Sequence, residues 1–320
     1  MPQKMTTRLK ELFNRPQIFV LAGGFGPYGA KMAEFLGYES FYMSGANSSA
    51  NTIGWPDVGM MSMREMVDNA RRIVAAVNIP VFADSDTGYG NAVSVYRTIR
   101  EYVLAGVAGV HLEDQEHPKK SGSMAGRRCI STEEMIGKLR AAVDARNEVD
   151  PDFVICARCD FRGAEGGSFE GVIERCLRYK EVPGVDVVFP EGLQSWEEIK
   201  EACRRIPGPV LPLIHTPPVE PHPSLEEQER AGMAAAFYPG FTNMAGNQAS
   251  WEFMNDFKER GTAALDELRE RSGKSKWGPI SPGVMDLPRV RALEEKYLPK
   301  ELQRDYEHTL GRRPDGTLSR

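Results

Sequence analysis

The chain has 320 residues, of which 41% are hydrophobic and 27% are charged, as is ordinary for a globular protein. Its formal net charge of −5 and its pI of about 5.7 give no reason to expect nucleic acid, whose binding depends on Lys and Arg neutralising phosphates. No stretch approaches the roughly 18 apolar residues of a membrane helix, and the first residues lack the apolar segment of a signal peptide. Five irregularly spaced cysteines favour reduced thiols and a cytoplasmic protein.

Eight short apolar runs recur along the chain, separated by longer amphipathic stretches. Each run is apolar on successive rather than alternate positions, which is typical of parallel strands buried on both faces. The stretches between them predict helices; residues 62–76 place their apolar side chains on one face, and 132–145 begin with acidic residues and end with basic ones. The predicted strands are Ile18–Ala22, Ser40–Met43, Val81–Ala83, Gly109–Leu112, Phe153–Ala157, Val185–Phe189, Val210–Ile214 and Ala234–Tyr238.

About eight strand–helix units over about 240 residues predict an α/β protein of the (β/α)8 TIM-barrel class. A doubly wound open sheet is the alternative, but no GxGxxG motif follows the first predicted strand. The chain is then helical and charged through Trp251–Gly273, is interrupted at Pro279–Pro282, and is helical again over Leu287–Tyr297. We therefore expect a catalytic barrel over residues 1–250 and a helical extension over 251–320 that belongs to the same domain or to an oligomer interface.

Acidic residues follow four successive predicted strands, at the points where the strands end. In a barrel enzyme the chemistry lies at these carboxyl ends. Converging carboxylates repel one another unless a cation lies among them, and hard oxygen ligands favour Mg²⁺, with Mn²⁺ as an alternative. A single acid here would more often cap a helix, but four strands favour a metal site. The acids are Asp84 and Asp86, Glu113 and Asp114, Asp160, and Glu191.

Four segments carry a family resemblance: Tyr42–Ala46, Asp84–Gly90, His111–Gln115 and Ala157–Asp160. Their order and spacing resemble those of the isocitrate lyase/phosphoenolpyruvate mutase superfamily over roughly residues 13–246, and most of all methylisocitrate lyase and carboxyphosphonoenolpyruvate mutase. The resemblance implies a barrel whose last helix is exchanged between subunits of a homodimer or homotetramer. It also implies a Mg²⁺-dependent enzyme in which the metal polarises a 2-oxo acid or its enolate.

The resemblance further implies roles for the matching residues. Asp84 would ligate the metal, and Asp57, Asp86, Glu113 and Asp114 would hold it through water. Arg158 would pair with a charge on the substrate through its planar guanidinium. Ser44, Gly45 and Ala46 would supply a hydroxyl and backbone N–H groups to a substrate carboxylate. Tyr42 and Glu191 would lie near the metal and the substrate.

The loop 119–128 departs from the family pattern. In the lyases this loop reads Lys-Arg/Lys-Cys-Gly-His, closes over the substrate and uses its Cys in proton transfer. Here Ser121 stands at the Cys position and Ser123 at the His position. An alcohol does not exchange a proton near neutrality as a thiol does. The loop length and both lysines are kept, which favours retained gating, so the candidates include Lys120, Ser121, Gly122 and Ser123.

A second departure follows the seventh predicted strand. Leu213 and Thr216 stand where the lyases and the carboxyphosphonoenolpyruvate mutase carry the Asn and Glu of a segment that contacts substrate. His215 between them is either a new acid/base or substrate contact, since histidine titrates near neutral pH, or a loop residue shaped by the neighbouring prolines. His222 is expected to be a solvated loop residue.

Three functions are compatible with these residues. The leading hypothesis is a C–C bond lyase that acts on a small 2-hydroxy or 2-oxo di- or tricarboxylic acid through an enolate-type intermediate, with the proton handled by Ser121, His215 or a metal-bound water. The second is phosphoenolpyruvate-mutase-like P–C chemistry, or decarboxylation or hydrolysis of an oxaloacetate-like acid, which the missing lyase Cys favours. The third is a non-catalytic protein that binds a carboxylate with its metal.

Overall fold

The chain forms two compact units, Met1–Asn243 and Met244–Arg320. The computed structural model describes residues 3–215, 218–278, 280–313 and 318–319. Among these residues, no helix is both long enough and apolar enough to cross a membrane. The division between the units falls a few residues before the boundary that the sequence predicts, inside a continuous helix.

Seven short strands of the first unit form one parallel sheet. In chain order they are β1 (Val20–Gly24), β2 (Phe41–Met43), β3 (Val81–Asp84), β4 (Gly109–Glu113), β5 (Val154–Cys159), β6 (Val187–Pro190) and β7 (Ala236–Tyr238). Their spatial order is β6-β5-β4-β3-β2-β1-β7, so strands β2 to β6 each neighbour the strand before them in the chain, and β7 closes against β1. All but the first residue of β1 and the last of β7 are buried, as strands covered by helices require.

The predicted strand Val210–Ile214 contributes one bridging residue instead of a strand. Its first residue pairs in parallel with Val188 of β6 on one side and with Met233, just before β7, on the other. The flanking Pro209 and Pro212 have no backbone N–H to donate, which prevents a longer ladder. These bridges nevertheless connect the two edges of the sheet. The (β/α)8-barrel prediction is confirmed, and the eighth strand is reduced to a bridge.

Helices alternate with the strands and cover the sheet. The predicted helices at 62–76 and 132–145 are observed as Met63–Val74 and Thr132–Val149, each begun by a serine whose hydroxyl accepts a backbone N–H of the first turn. The helices of the first unit are α1 (Met5–Asn14), α2 (Pro27–Phe35), α3 (Gly45–Thr52), α4 (Met63–Val74), α5 (Ala92–Leu104), α6 (Thr132–Val149), α7 (Phe169–Lys180), α8 (Trp196–Arg205) and α9 (Leu225–Arg230).

Side chains of the strands alternate between two apolar cores. The outward positions pack against the helices, and the inward positions fill the barrel together with three residues of α1. The inward series continues into the polar residues at the strand ends: Asp84 lies two residues beyond Phe82, and Arg158 lies two residues beyond Cys156. The barrel is thus apolar at its amino-terminal end and charged at its carboxyl-terminal end.

The second unit is helical, with one small sheet. A long helix, α10 (Phe241–Arg260), runs into it from the first unit, and α11 (Thr262–Gly273) and α12 (Leu287–Tyr297) follow. Two short antiparallel strands, β8 (Gly311–Arg312) and β9 (Leu318–Ser319), pair near the end of the chain. Many large apolar side chains of this unit are exposed in the single chain, among them Trp251, Met254, Trp277, Ile280, Tyr297 and Leu310.

Candidate active site

A cavity of about 200 Å³ lies at the carboxyl ends of the barrel strands. It brings together most of the residues that the sequence predicts for the site. Phe189 and Pro239, which were not predicted, form part of its wall together with Leu213, which the sequence places at a substrate-contact position. The predicted residues that line it are Tyr42, Ser44, Ala46, Asp57, Asp84, Ser121, Gly122, Ser123, Arg158, Glu191 and His215.

Asp84 lies at the centre of a hydrogen-bond network. Its Oδ2 accepts from the backbone N–H of Gly45 at 3.1 Å and lies 3.3 Å from the Tyr42 hydroxyl, while its Oδ1 accepts from the N–H of Asp86 at 2.9 Å. Burial alone would raise the pKa of Asp84, but the positively charged groups around it lower the pKa overall. Asp84 is therefore an anion held in a fixed orientation.

The amino terminus of α3 forms one side of the cavity. Gly45 stands so close to Asp84 that a Cβ at this position would overlap the carboxylate. The Ser44 hydroxyl caps the helix, accepting from the N–H of Asn47 at 3.3 Å. The Gly45 N–H, which the resemblance assigns to substrate, donates to Asp84 in this structure. The Ser44 hydroxyl and Ala46 still line the cavity.

Lys119 is buried among carboxylates, a position that the sequence did not predict. Its Nζ lies 2.5 Å from Asp57 Oδ1 and 3.0 Å from Asp86 Oδ1. Burial would lower the pKa of Lys119, but the surrounding carboxylates raise it well above its ordinary value, so the ammonium is charged. The predicted Lys120 does not line the cavity; its backbone N–H and C=O are both bound by the Gln115 side chain.

Arg158 lies between two buried acidic side chains, Glu113 and Asp160. Arg158 holds Asp160 with two hydrogen bonds of 2.7 Å and 2.9 Å, and its Nη1 lies 3.3 Å from Glu113 Oε2. The guanidinium also lies over the Phe189 ring, 5.0 Å from its centroid. Burial raises the pKa of Glu113 well above its ordinary value. Arg158 is thus a rigid cation directed into the cavity, as a carboxylate-binding residue should be.

Asp114 is not brought together with the other predicted metal ligands. It follows Glu113, so the alternation of side chains points it out of the barrel and into the helix layer. There its Oδ2 accepts from the Tyr179 hydroxyl at 2.7 Å and from Arg175 at 3.1 Å, and its Oδ1 accepts from the N–H of Asp160 at 2.8 Å. Both carboxylate oxygens are occupied by structural partners, so we leave Asp114 out of the candidate ligands.

The remaining carboxylates fit a hard divalent cation by their chemistry. Asp86 Oδ1 and Glu113 Oε2 are buried and hydrogen-bonded to no group among the described residues, although a cationic side chain lies near each. Within the part of the chain that the structure describes, no three His, Cys, Asp or Glu side chains are already gathered closely enough to hold a metal ion. The Lys119 ammonium supplies the positive charge between Asp57 and Asp86 in this state. Oxygen donors of this kind suit Mg²⁺.

Glu191 and His215 form a hydrogen-bonded pair at the cavity wall. Glu191 is 1% exposed, and its Oε1 lies 2.7 Å from His215 Nε2. Burial would raise the pKa of Glu191, but Arg158 and His215 lower it, and the hydrogen bond that His215 donates to Glu191 raises the pKa of His215. Both residues were predicted from the sequence as site residues, but the hydrogen bond between them was not predicted. Thr216, the other predicted departure in this segment, lies outside the described residues.

The loop 119–128 covers the cavity. The Ser121 and Ser123 hydroxyls lie 3.3 Å apart, and both residues line the cavity. Between them Gly122 packs so closely on Glu191 and Arg158 that a Cβ there would overlap the Glu191 carboxylate. The loop therefore occupies a closed position over the charged residues.

A neutral histidine lies below Asp84 in the barrel. His111 is buried among aromatic rings, and its Nε2 is 2.7 Å from the Tyr42 hydroxyl. Burial lowers the pKa of His111 to about 4 and raises that of Tyr42 well above its ordinary value. An uncharged imidazole therefore contacts the Tyr42 hydroxyl beneath the carboxylate of Asp84. His111 lies in one of the four segments that carry the family resemblance, but the sequence analysis assigns it no role.

Comparison with known proteins agrees with this geometry. A model of the phosphoenolpyruvate phosphomutase family matches residues 9–251. The chain belongs to this family. It is 41% identical over 292 residues to a 2,3-dimethylmalate lyase of Eubacterium barkeri, covering 91% of this chain and 97% of that protein. It is 38% identical over 266 residues to a 2-methylisocitrate lyase of Aeropyrum pernix, covering 82% and 84%.

Solved structures of related enzymes share the fold. Oxaloacetate acetylhydrolase in complex with 3,3-difluorooxalacetate superposes with a TM-score of 0.82 at 28% identity, covering 92% of this chain and 98% of that one. Phosphonopyruvate hydrolase in complex with oxalate and Mg²⁺ gives a TM-score of 0.78 at 26% identity, covering 93% and 100%. The predicted isocitrate lyase/phosphoenolpyruvate mutase superfamily is confirmed, and with it the prediction of an enzyme of the lyase type.

Proposed function

We propose that the protein is a Mg²⁺-dependent lyase that breaks the C–C bond next to a carboxylate in a small 2-hydroxy or 2-oxo di- or tricarboxylic acid. The observation that carries this proposal is the pairing of buried carboxylates with a rigid buried cation around one small cavity. Asp84 would ligate the metal, with Asp57, Asp86 and Glu113 around it, and Mn²⁺ would be accepted as well. When bound, such a metal acts as a Lewis acid on an oxygen of the substrate or of its enolate.

The chain's own residues would bind and orient the acid. Arg158, held by Asp160 and Glu113, keeps its charge in a fixed position and attracts a substrate carboxylate at little entropic cost. The Ser44 hydroxyl and the Ser121 and Ser123 hydroxyls offer further hydrogen bonds. Closure of loop 119–128 over a bound acid would exclude water, which would strengthen each of these interactions.

The size and lining of the cavity support a short substrate. A cavity of about 200 Å³ with Phe189 and Leu213 in its wall fits a small acid with an alkyl substituent. Leu213 would pack against such an alkyl group but cannot bind a carboxylate, so we favour a methyl-substituted malate over a tricarboxylic acid. The Eubacterium barkeri relative is named for such a substrate.

The function is tested by ¹H NMR of the purified protein with Mg²⁺ and a panel of 2-hydroxy and 2-oxo acids, with and without EDTA. We expect one substituted malate to yield two smaller acids, and we expect EDTA to abolish the reaction. Product formation that EDTA does not affect would contradict the role of the metal. If none of the acids is cleaved, the lyase proposal is wrong.

A second candidate is hydrolysis or decarboxylation of an oxaloacetate-like acid. One expectation and one finding favour it: the sequence analysis expects the loop hydroxyls to replace a lyase thiol, and the fold is similar to that of oxaloacetate acetylhydrolase. The same NMR panel separates the candidates, because hydrolysis of oxaloacetate gives oxalate and acetate, whereas decarboxylation gives pyruvate and CO₂. Phosphoenolpyruvate-mutase-like chemistry would instead move a ³¹P signal.

We also infer a homodimer or homotetramer in the cytoplasm. The exposed apolar side chains of the second unit, such as Trp251 and Trp277, need a covering surface, and exchange of the last barrel helix between subunits would supply one. All five cysteines are free thiols, as a reducing compartment requires. Light scattering on the purified protein tests the oligomer: a mass of 35.6 kDa would mean a monomer and contradict this inference.

A further inference from the structure

We propose that His215, oriented by Glu191, is the proton donor to the carbon acid that leaves in the lyase reaction. This inference rests on the proposed function and deepens it, since it assigns the proton-transfer step that the loop serines leave open. In the related lyases a loop thiol has this task, and here the same position carries the alcohol of Ser121.

The geometry of the pair is that of an oriented acid/base. Glu191 follows β6 and continues its inward-facing positions, and His215 lies five residues after the bridging residue Val210. Two separate segments of the barrel thus meet in one hydrogen bond, of 2.7 Å between His215 Nε2 and Glu191 Oε1. Both side chains line the cavity. A carboxylate that binds one nitrogen of an imidazole fixes its ring orientation and its tautomer. The other nitrogen, Nδ1, would then carry the transferred proton.

The other groups of the cavity are unsuited to the step. Tyr42 holds its proton too tightly, because burial raises its pKa well above the ordinary value. Arg158 does not release a proton in proteins, and serine hydroxyls are far too weak as acids. Asp84 is an anion, and its carboxylate would be bound to the metal. Among the described residues that line the cavity, His215 is the one whose ordinary pKa lies near neutral pH.

The hydrogen bond between His215 and Glu191 favours the protonated form of His215. The hydrogen bond that His215 donates to Glu191 raises the pKa of His215, while burial and the positive charges of Arg158 and Arg127 lower it; the net shift is upward. Glu191 itself stays ionised, because burial, which raises its pKa, is outweighed by Arg158, His215 and Arg127. Both shifts favour the pair of an imidazolium beside a carboxylate.

The proton balance of the step is simple. The substrate hydroxyl loses its proton to solvent, the C–C bond breaks, and its electron pair forms the enolate of the departing acid. The His215 imidazolium gives one proton to the α-carbon of that enolate, which leaves a neutral imidazole and a finished carboxylic acid. The imidazole then regains a proton from solvent. No oxidant, reductant or further reactant takes part.

The test compares two single variants of the full chain, His215→Gln and His222→Gln, with the wild-type protein, all in the presence of Mg²⁺. His222 lies in the same proline-rich segment, is exposed and does not line the cavity, so it is a matched control. Two quantities are measured: kcat and KM across pH, and the rate at which the product acid exchanges its α-hydrogen for deuterium in D₂O. General acid catalysis of this kind contributes about 10²–10⁴-fold.

We expect His215→Gln to lower kcat and the exchange rate at least about 100-fold with KM within about threefold, and His222→Gln to change neither. The wild-type rate should fall as the pH rises through the pKa of His215, because the acid must be protonated, and this limb should vanish in His215→Gln. In Glu191→Gln the same limb should move to lower pH, because the imidazolium loses its anionic partner.

Each failure has its own meaning. A His215→Gln protein that keeps the alkaline limb and the exchange rate of His222→Gln would overturn the proton-donor role and leave the lyase function standing. A wild-type protein that cleaves no acid would overturn the lyase function and this role with it. If His215→Gln does not fold, Glu191→Gln decides: an unmoved limb would overturn the role, and a limb moved to lower pH would support it.

Discussion

The mouth of the barrel has two halves that are built differently. The strand half consists of Asp84, Glu113 and Arg158, which lie at the carboxyl ends of β3, β4 and β5. They are at most 7% exposed and each have several protein partners. The loop half consists of the loop 119–128 and the segment around His215, which have little regular structure and are partly exposed. Both halves line the same cavity.

The difference indicates a division of labour. Fixed charge is strongest where side chains are held without reorganisation, and the strand half would provide this for the proposed metal and a substrate carboxylate. Loops tolerate sequence change better than strands do. The sequence analysis expects departures from the lyase pattern at Ser121, Ser123, Leu213 and His215, and all four lie in the loop half. We therefore assign binding of charge to the strand half, and substrate choice and proton transfer to the loop half.

The largest expected effect comes from the strand half. Asp84→Asn removes the charge from the proposed metal ligand, and we expect turnover to fall by at least about 10³-fold and Mn²⁺ affinity, measured by electron paramagnetic resonance, to be lost. Asp114→Asn is the matched control from the outward face. It should keep Mn²⁺ affinity and lose about 1–3 kcal/mol of unfolding free energy, because Tyr179 and Arg175 lose a charged partner. Equal metal loss in both variants would contradict the assignment.

The buried ammonium links the two halves, since Lys119 belongs to the loop and contacts the metal-side carboxylates. Lys119→Met leaves Asp57 and Asp86 without their cation, and we expect the metal-free protein to lose about 3 kcal/mol of unfolding free energy in urea denaturation. Saturating Mg²⁺ should restore most of this loss. Lys120→Met, outside the cavity, should change stability by less than about 0.5 kcal/mol. A Lys119→Met protein of unchanged stability would show that the ion pairs are unimportant.

The pH dependence of stability tests the neutral histidine beneath the strand half. The folded protein lowers the pKa of His111 from 6.5 to about 4, so the unfolded chain takes up a proton at a higher pH than the folded one. The contribution of the neutral ring is therefore complete above about pH 6.5 and is lost as the pH falls through 4, up to about 3 kcal/mol. We expect His111→Gln to flatten the acid limb of the unfolding free energy, whereas His222→Gln should keep it.

The smallest expected effect concerns loop closure. Gly122→Ala adds a Cβ that overlaps Glu191, so the loop should close less completely and KM should rise about tenfold. Met124→Ala, at an exposed site of the same loop, is the control and should leave KM unchanged. Faster proteolytic cleavage of the loop in Gly122→Ala than in Met124→Ala would support an open loop. Equal KM and equal cleavage would mean that closure is not needed.

Much of the strand half was predictable from the sequence. Apolar runs that end in Asp84, Glu113 and Arg158 locate the strand ends, and parallel strands bring those ends to one edge. The alternation of side chains also held the information that Asp114, adjacent to Glu113, points the other way. Pro209 and Pro212 were likewise visible as reasons why the strand at Val210 would not extend.

The loop half could not be predicted in the same way. The pairing of Glu191 with His215 depends on the path of a segment without regular structure, and no local pattern sets it. The position of Lys119 is similar: the sequence shows two adjacent lysines, and only the fold determines which of them is buried among carboxylates. Predictions from strand periodicity therefore stop where the loops begin.

The most direct test of the central claim is a calorimetric titration of the wild-type protein with oxalate, with and without Mg²⁺. Oxalate with Mg²⁺ occupies a structural relative, phosphonopyruvate hydrolase, and resembles a small enolate. We predict that oxalate binds one site per chain only when Mg²⁺ is present, and that Asp84→Asn abolishes this binding. Oxalate binding of equal strength without Mg²⁺, or in Asp84→Asn, would contradict the claim that the strand half holds a metal beneath the substrate.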